Sequence, residues 1–339
     1  MTAPRIFVSK PATREAVPVL VGLVGPSGSG KTFSALRLAT GMQRVTGGDI
    51  YVIDTEARRA LHYAEQFRFK HLVFDAPFSP LDYLAAIEHC VAAGAKVIVI
   101  DSMSHEHEGP GGVLEMHSAA VERLSKGDEK KADRVNMLAW SEPKQQRRRL
   151  LNGIVQLGCN VVLCFRAKEK LKMIPGRQPE PLGWMPIGGE EHIYEMTVAM
   201  SLPPGSSGEP DWHPERPGER AMVKLPLQFD WLRSVKGPLD EASGERMARW
   251  AAGTTQVSDD QELLAAIEAA WEIAQLEVLL PQLKQAAGKD TLREAYKARK
   301  AAILSNRAAH TPDPDGYADD PHVTAPTEDE RRRFLEVKP

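Results

Sequence analysis

The chain has 339 residues, 42% of them hydrophobic and 26% charged, which is enough apolar content for one large core or two smaller ones. No apolar run is long enough to span a bilayer, and the first residues lack the apolar stretch of a secretory signal, so the sequence reads as cytoplasmic rather than membrane-bound or secreted. A formal net charge of −3 argues against a generally basic nucleic-acid coat and leaves room for a local basic groove.

Residues 18–24, PVLVGLV, form a short apolar run that reads as a strand, and Lys31 to about Gln43 reads as a helix. A second strand covers 50–54, a helix is expected from Ala57 to Phe67, and 71–74 is a third strand. Ser79 caps a helix with Pro80 in its first turn that runs to about Ala93, with Leu81, Leu84, Ala85 and Ile87 facing inward. The β-branched run 96–101 is a fourth strand. Strands that are apolar throughout and alternate with helices imply a parallel sheet covered on both faces.

Further on, Ser102–Lys131 is polar and charged with one helix near Val113–Leu124, and a longer helical stretch spans Asp133–Leu157 with a perturbation at Pro143. CNVVLCF, 159–165, is a buried strand, and 166–192 reads as a long loop. Strands are expected at 193–202 and 221–225. Composition breaks at 251–261. Beyond it, Glu262–Leu280 and Thr291–Leu304 read as amphipathic helices with capping-box starts at Ser258/Gln261 and Thr291/Glu294. Trp271, Ile267, Leu276 and Leu280 are expected to form the core of this pair. The organisation is thus an extension at 1–17, a core at 18–250, a linker at 251–261, a helical region at 262–305 and a disordered tail at 306–339. Cys90, Cys159 and Cys164 sit in apolar contexts without CxxC spacing and read as reduced core residues.

The most specific motif is GPSGSGKT: Gly25, Pro26, Ser27, Gly28, Ser29, Gly30, Lys31 and Thr32. It fits G-x-x-x-x-G-K-[ST] between an expected strand and an expected helix, the context of a phosphate-binding P-loop. The glycines let backbone N–H groups face phosphates at a helix start, Lys31 reaches the β- and γ-phosphates of ATP, and the Thr32 hydroxyl ligates Mg²⁺. Such a site needs a strand-tip acid on the metal side. Two compete, Asp54 in IYVIDTE and Asp101 in VIVIDS; Asp101 ends the more apolar strand and is preferred, with Ser102 beside it. Glu56 is then free to orient an attacking water as a base, the alternative being a first-turn glutamate favoured by a helix dipole.

YVIDTEARRALHYA resembles the segment of RecA-type recombinases in which an apolar strand ends in Asp, a small residue and the catalytic glutamate. VIVIDSMS resembles the Walker B strand of the same family, and NVVLCFRAKEK resembles its next core strand. The resemblance covers about 18–202 and is most similar to compact phage-encoded RecA-type ATPases of single-strand annealing and recombination. It implies an α/β, RecA-like P-loop NTPase core with a mainly parallel sheet. Glu56 becomes the catalytic base, Asp101 and Ser102 the Walker B pair, and Arg166 the γ-phosphate sensor, where RecA itself carries glutamine. The loops after the Walker B and sensor strands, about 103–131 and 166–192, would bind single-stranded DNA. The implied partners are that DNA, further copies of the chain in a homo-oligomer, and a phage or host single-stranded-DNA-binding protein inside a bacterial host.

Independently of the resemblance, 144–177 holds Lys144, Arg147, Arg148, Arg149, Arg166, Lys168, Lys170, Lys172 and Arg177 against one acid, Glu169. With Phe165 and Trp184 as stacking platforms, Arg166, Lys168, Lys170, Lys172 and Arg177 form a candidate DNA groove, or Lys168 or Lys170 enters a neighbour's ATP site. HEHE, His105–Glu108, tempts a metal reading, and a loop lining the nucleotide or DNA site is the alternative. Two other functions fit the P-loop: a loader or remodelling ATPase acting on a protein, and a small-molecule phosphotransferase in which Glu56 and Arg58 hold the acceptor.

Overall fold

The structure is a computed structural model that describes residues 12, 14–176, 178–188, 190–253, 259–285 and 289–309. The apolar runs become strands β1 (Leu20–Gly25), β2 (Asp49–Asp54), β3 (Lys70–Val73), β4 (Ala95–Asp101), β5 (Asn160–Lys172), β6 (Glu180–Pro186) and β7 (Val198–Ser201). Between them lie α1 (Lys31–Thr46), α2 (Pro80–Ala92), α3 (His105–Glu108), α4 (Val113–Ser125), α5 (Glu129–Ala139), α6 (Ser141–Val155) and α7 (Glu190–Glu195). Helices α8 (Pro217–Arg220), α9 (Glu241–Ala251), α10 (Asp259–Ala269), α11 (Ile273–Val278), α12 (Leu280–Gln285) and α13 (Lys289–Ala309) follow.

The sheet has the order β3-β2-β4-β5-β1-β7, parallel throughout, and β6 adds an antiparallel partner to β5. Side chains alternate across it. Val21, Leu23, Val97, Val99 and Val162 enter the core under α1 and α9, while Leu20, Val24, Ile98, Ile100 and Leu163 enter the core that also holds residues of α2 and α6. Each such burial is worth roughly 1.5–3 kcal/mol, which makes the central strands apolar on both faces. The result is an α/β RecA-like fold: β5 lies between the strand of the GPSGSGKT loop and the strand ending at Asp101. Register then sets the strand tips level, Asp54 with Asp101, Asp101 with Cys164, and Gly25 with Arg166.

Helix α9, which the sequence reading does not include, packs on α1 through glycines. A Cβ at Gly41 would fall 1.9 Å from Glu241 O, and one at Gly244 2.1 Å from Leu38 O, so the helices touch backbone to backbone. Arg37 clamps the crossing with a two-pronged pair to Glu241 at 3.0 and 2.6 Å.

The Ser79 cap is present, its Oγ accepting from Asp82 N, but Tyr83, Ile87 and Cys90 form the buried stripe of α2 and Ala85 is exposed. Several other expectations are corrected. Ala57–Phe67 is not a helix: Ala57 and Arg58 have φ of 55° and 66°, and only a 3₁₀ segment, Arg59–Tyr63, follows. The stretch 133–157 is two helices that break at Trp140, which puts Pro143 in a first turn where its missing N–H costs nothing. The long loop at 166–192 is largely the β5–β6 hairpin, because β5 runs on past the core to Lys172. Residues 193–202 begin as α7 and supply only Val198–Ser201 to the sheet, and 221–225 contributes one isolated bridge, Ala199 to Lys224.

The chain forms two compact units, Met1–Thr255 and Gln256–Pro339. In the described part of the second, Leu263, Ile267, Leu276, Leu283, Leu292 and Tyr296 make a core and Arg299 Nε donates to Ala270 O at 2.6 Å. Glu262–Leu280 is divided into α10 and α11, and Trp271, between them, is 67% exposed rather than core. Helix α13 extends beyond Leu304 to Ala309, and the remainder of the expected tail, like Ser258 of the expected cap, lies outside the described residues.

Candidate functional site

The loop from Gly25 to Thr32 joins β1 to α1. Gly28 and Gly30 take φ of +78° and +90°, a left-handed backbone that side chains disfavour. Gly30 also has no room for a Cβ, which would fall 2.5 Å from Gly208 N; Gly208 N in turn donates to Ser29 O at 2.9 Å, so the turn at 203–208 braces the loop. Ser34 N is bonded to Gly30 O at 2.9 Å, so α1 starts here and its first amides have no partner within the helix. Lys31 Nζ donates to Gly25 O at 2.8 Å and Pro26 O at 2.7 Å. Burial pulls its ammonium below the ordinary lysine range, against the opposing pull of Cys164, Asp101 and Glu56.

Two acids stand level at neighbouring strand tips with different surroundings. Asp54 is consumed locally: Oδ1 accepts from Glu56 N at 2.8 Å, and Oδ2 accepts from Ala60 N at 3.0 Å and faces His71 Nε2 at 3.0 Å. Asp101 Oδ2 accepts from Thr32 Oγ1 at 2.5 Å. Burial pushes its carboxyl up to about 6; the Thr32 hydrogen bond opposes this, the charge on Glu56 adds to it, and Lys31 opposes it. Glu56 lies across the cleft, with Oε1 3.2 Å from Ser102 Oγ and 3.5 Å from Arg166 Nε, and Oε2 3.4 Å from Arg59 Nη1. Thr55 fastens the two tips, since its Oγ1 accepts from Ser102 N at 2.8 Å and donates to Ser102 O at 3.1 Å.

A cavity of about 280 Å³ opens between these groups, lined by Ser27, Gly28, Gly30, Lys31, Thr32, Glu56, Arg59, His62, Tyr63, Asp101 and Arg166. The fold therefore brings together Lys31, Thr32, Glu56, Asp101 and Arg166, with Gly25 and Pro26 beneath Lys31, Ser29 buried under the loop and Ser102 behind Glu56. Arg59, His62 and Tyr63 line it too, and sequence reasoning missed them. Their signal was the spacing Arg59 to His62, since residues three apart share a face in a 3₁₀ segment. Arg58, the acceptor residue of the phosphotransferase reading, is not among the lining residues.

The basic stretch divides. Arg147 turns inward onto Glu106, at 2.7 and 3.0 Å, and onto His107 Nδ1 at 2.9 Å, so it is a half-buried structural partner and not a groove residue. Phe165 is core, 1% exposed, and cannot serve as a stacking platform; Trp184 is half-buried. Arg166 stays at the cleft, while Lys168, Lys170 and Lys172 stand on the hairpin opposite Met185, Gly183 and Glu180. Arg177 lies outside the described residues. HEHE is one helical turn: His105 faces Thr55 and Arg166, and Glu106 is buried on Arg147. His107 is pushed down to about 4 by burial and by Arg147, Lys168 and Lys170. No cluster of three or more His, Cys, Asp or Glu suited to a metal occurs among the described residues, so the metal reading of HEHE finds no ligand set.

Among the described residues no helix is long and apolar enough to cross a membrane. No curated protein matches the chain. Among solved structures, it is similar to a KaiC-like protein, PH0186, from Pyrococcus horikoshii OT3, at 18% identity over 56% of this chain and 80% of that one, with a TM-score of 0.30. The family model described as AAA domain matches residues 18–196, more than half of the chain and the whole span from the phosphate loop past the Asp101 and Arg166 strand tips. With that match and the RecA-like sheet beneath it, the chain belongs to the AAA-domain family of P-loop ATPases.

Proposed function

We propose that the protein hydrolyses Mg²⁺–ATP and couples that reaction to binding single-stranded DNA, in the manner of a phage recombination or annealing ATPase. The donor set fits the nucleotide and its ion. Thr32 and Asp101 offer two hard oxygens at 2.5 Å from one another, the kind of ligand Mg²⁺ takes. Lys31 would exchange the carbonyls of Gly25 and Pro26 for phosphate oxygens, and the free amides at the start of α1 add to that cradle. When bound, Mg²⁺ neutralises charge on the phosphates. Glu56 orients the attacking water and accepts its proton, with Ser102 Oγ fixing one carboxylate oxygen. Arg166 reads the terminal phosphate from within β5, at the level where β1 ends in Gly25. Tyr63 and His62, which also line the cavity, offer flat surfaces to the base.

The observation that carries the DNA half is the continuity of β5. One strand holds Arg166 level with Gly25 at the cleft and then carries Lys168, Lys170 and Lys172 outward on a hairpin whose Leu171 and Met173 are exposed. A change at the terminal phosphate thereby reaches the basic ribbon without crossing a loop. A homo-oligomer and a single-stranded-DNA-binding protein as partner belong to the same reading.

The test is steady-state ATP hydrolysis with and without single-stranded DNA for the wild type, Lys31→Ala, Glu56→Gln and Lys168→Ala/Lys170→Ala. Hydrolysis is expected to vanish in the first two variants, and DNA stimulation to fall in the last. A wild type that neither binds nor responds to single-stranded DNA at low salt overturns the DNA half, and unimpaired turnover in Glu56→Gln overturns the base.

A further inference from the structure

We propose that His105 is a positioning residue that orients the Arg166 guanidinium against Glu56, acting in the neutral form that carries its proton on Nδ1. The kinetic part of this rests on the hydrolase reading above. The ring is fixed on three sides. It stacks on Phe78 with centroids 5.2 Å apart and planes 24° apart. Its Nδ1 lies 2.8 Å from Thr55 Oγ1, and its Nε2 lies 3.4 Å from Arg166 Nη1.

Donor and acceptor counting assigns the tautomer. A guanidinium only donates, so Nε2 must carry a lone pair, and the single proton of a neutral ring then sits on Nδ1. Thr55 Oγ1 agrees: its one proton goes to Ser102 O, and its two lone pairs take Ser102 N–H and His105 Nδ1–H. The same helical turn holds the backbone of Arg166, whose N–H donates to Ser104 Oγ at 2.8 Å. Ser104 and His105 thus grip both ends of one arginine, and Arg166 Nε is delivered 3.5 Å from Glu56 Oε1. The charged groups acting on the ring are Glu56, Arg166 and Glu108, and burial, the largest influence, holds the imidazole below its usual pKa and so neutral.

A core histidine that merely fills space predicts none of this coupling. Two measurements separate the roles. The first is a long-range proton–nitrogen NMR spectrum of the ¹⁵N-histidine-labelled chain without nucleotide. His105 is expected as the Nδ1–H tautomer, with its Nε2 resonance displaced in Arg166→Ala; an Nε2–H tautomer, or no displacement, overturns the pairing. The second is a kinetic cycle. His105→Asn keeps an amide near Nδ1 but has nothing at Nε2, and is expected to lower kcat about 10-fold with KM for ATP little changed. His105→Gln, which can return an acceptor toward Arg166, is expected to recover part of the loss. In an Arg166→Ala background His105→Asn is expected to cost nothing further. An undiminished loss in that background overturns the proposal, and so does unchanged kcat in His105→Asn itself. A wild type with no ATP turnover overturns the hydrolase reading instead, and the spectrum alone then decides the His105–Arg166 pairing.

Discussion

Asp54 and Asp101 end neighbouring parallel strands, sit in register, and are almost equally buried at 2% and 5% exposure. Their sequence contexts are near duplicates, an apolar run followed by an aspartate. Their employment differs completely. After Asp54 the chain makes a left-handed step at Ala57 and Arg58 and doubles back, so that the amides of Glu56 and Ala60 close on the carboxylate. After Asp101 it leaves the strand toward α3, and the carboxylate is met by the hydroxyl of Thr32. One acid shapes its own loop and the other is offered to the phosphate cleft. Burial of an acid at a strand tip therefore says little about its role; what the next few residues do with their N–H groups decides it.

The largest expected effect tests the second half of that contrast. Asp101→Asn should cut ATP hydrolysis on the order of 100-fold or more, since several kcal/mol of charge stabilisation depends on the ion it would hold. The chain should remain folded by circular dichroism. Equal turnover in Asp101→Asn and wild type would break the distinction between the two tips.

Asp54→Ala probes the other half. It strips the acceptors from two backbone amides and should destabilise the fold by about 3 kcal/mol, read as a lower midpoint in urea. Asp101→Asn should not show this loss, because it removes a buried charge that was met by one hydroxyl. The crossing of the two phenotypes, activity lost at one tip and stability at the other, is the sharpest form of the comparison.

The pH dependence of the metal-free chain follows from the same burial. The Asp101 carboxyl is raised from its ordinary 3.8 to about 6, so the folded state holds the proton more tightly than the unfolded one. Its contribution to stability is complete below about pH 4 and is lost as pH rises through about 6, with an upper limit of about 3 kcal/mol. In EDTA, urea midpoints of wild type and Asp101→Asn should diverge between pH 4 and 6, with the wild type losing ground. Parallel curves would place the carboxylate in a wetter site than the fold gives it.

How much of this was legible follows the range of each interaction. The phosphate loop was readable because glycine positions, lysine and threonine are consecutive and their chemistry is local. What separates Asp101 from Asp54 in the structure is nothing the strand patterns carry: positive φ at two residues that are not glycine, and His71 on the next strand. No pattern announces an alanine and an arginine in the left-handed region. The overrun of β5 was legible and misread. Lys168, Lys170 and Lys172 alternate with Ala167, Glu169 and Leu171 at the period of a strand, yet their charge suggested a loop. Arg147 counted toward the basic excess of 144–177 because its partner, Glu106, lies outside that stretch and meets it only in the folded core. Helix α9 escaped because Gly244 weakens the local helix signal, and it is there for the close approach to Leu38.

The smallest effect isolates what holds the Asp54 loop closed. His71 reaches Asp54 Oδ2 at 3.0 Å from β3, the edge strand, whereas the two amides come from the loop itself. If local amides define the loop, His71→Gln, which removes or lengthens only the third contact, should cost about 1 kcal/mol, the usual net worth of one hydrogen bond. Hydrolysis should stay at the wild-type rate, since Glu56 N remains bonded to Oδ1 and Glu56 is not displaced. The check is a urea midpoint measured beside a kcat. A stability loss as large as that of Asp54→Ala, or a falling kcat, would mean that the edge strand and not the turn fixes Glu56, and the two strand tips would then differ through their neighbours in the sheet rather than through the residues that follow them.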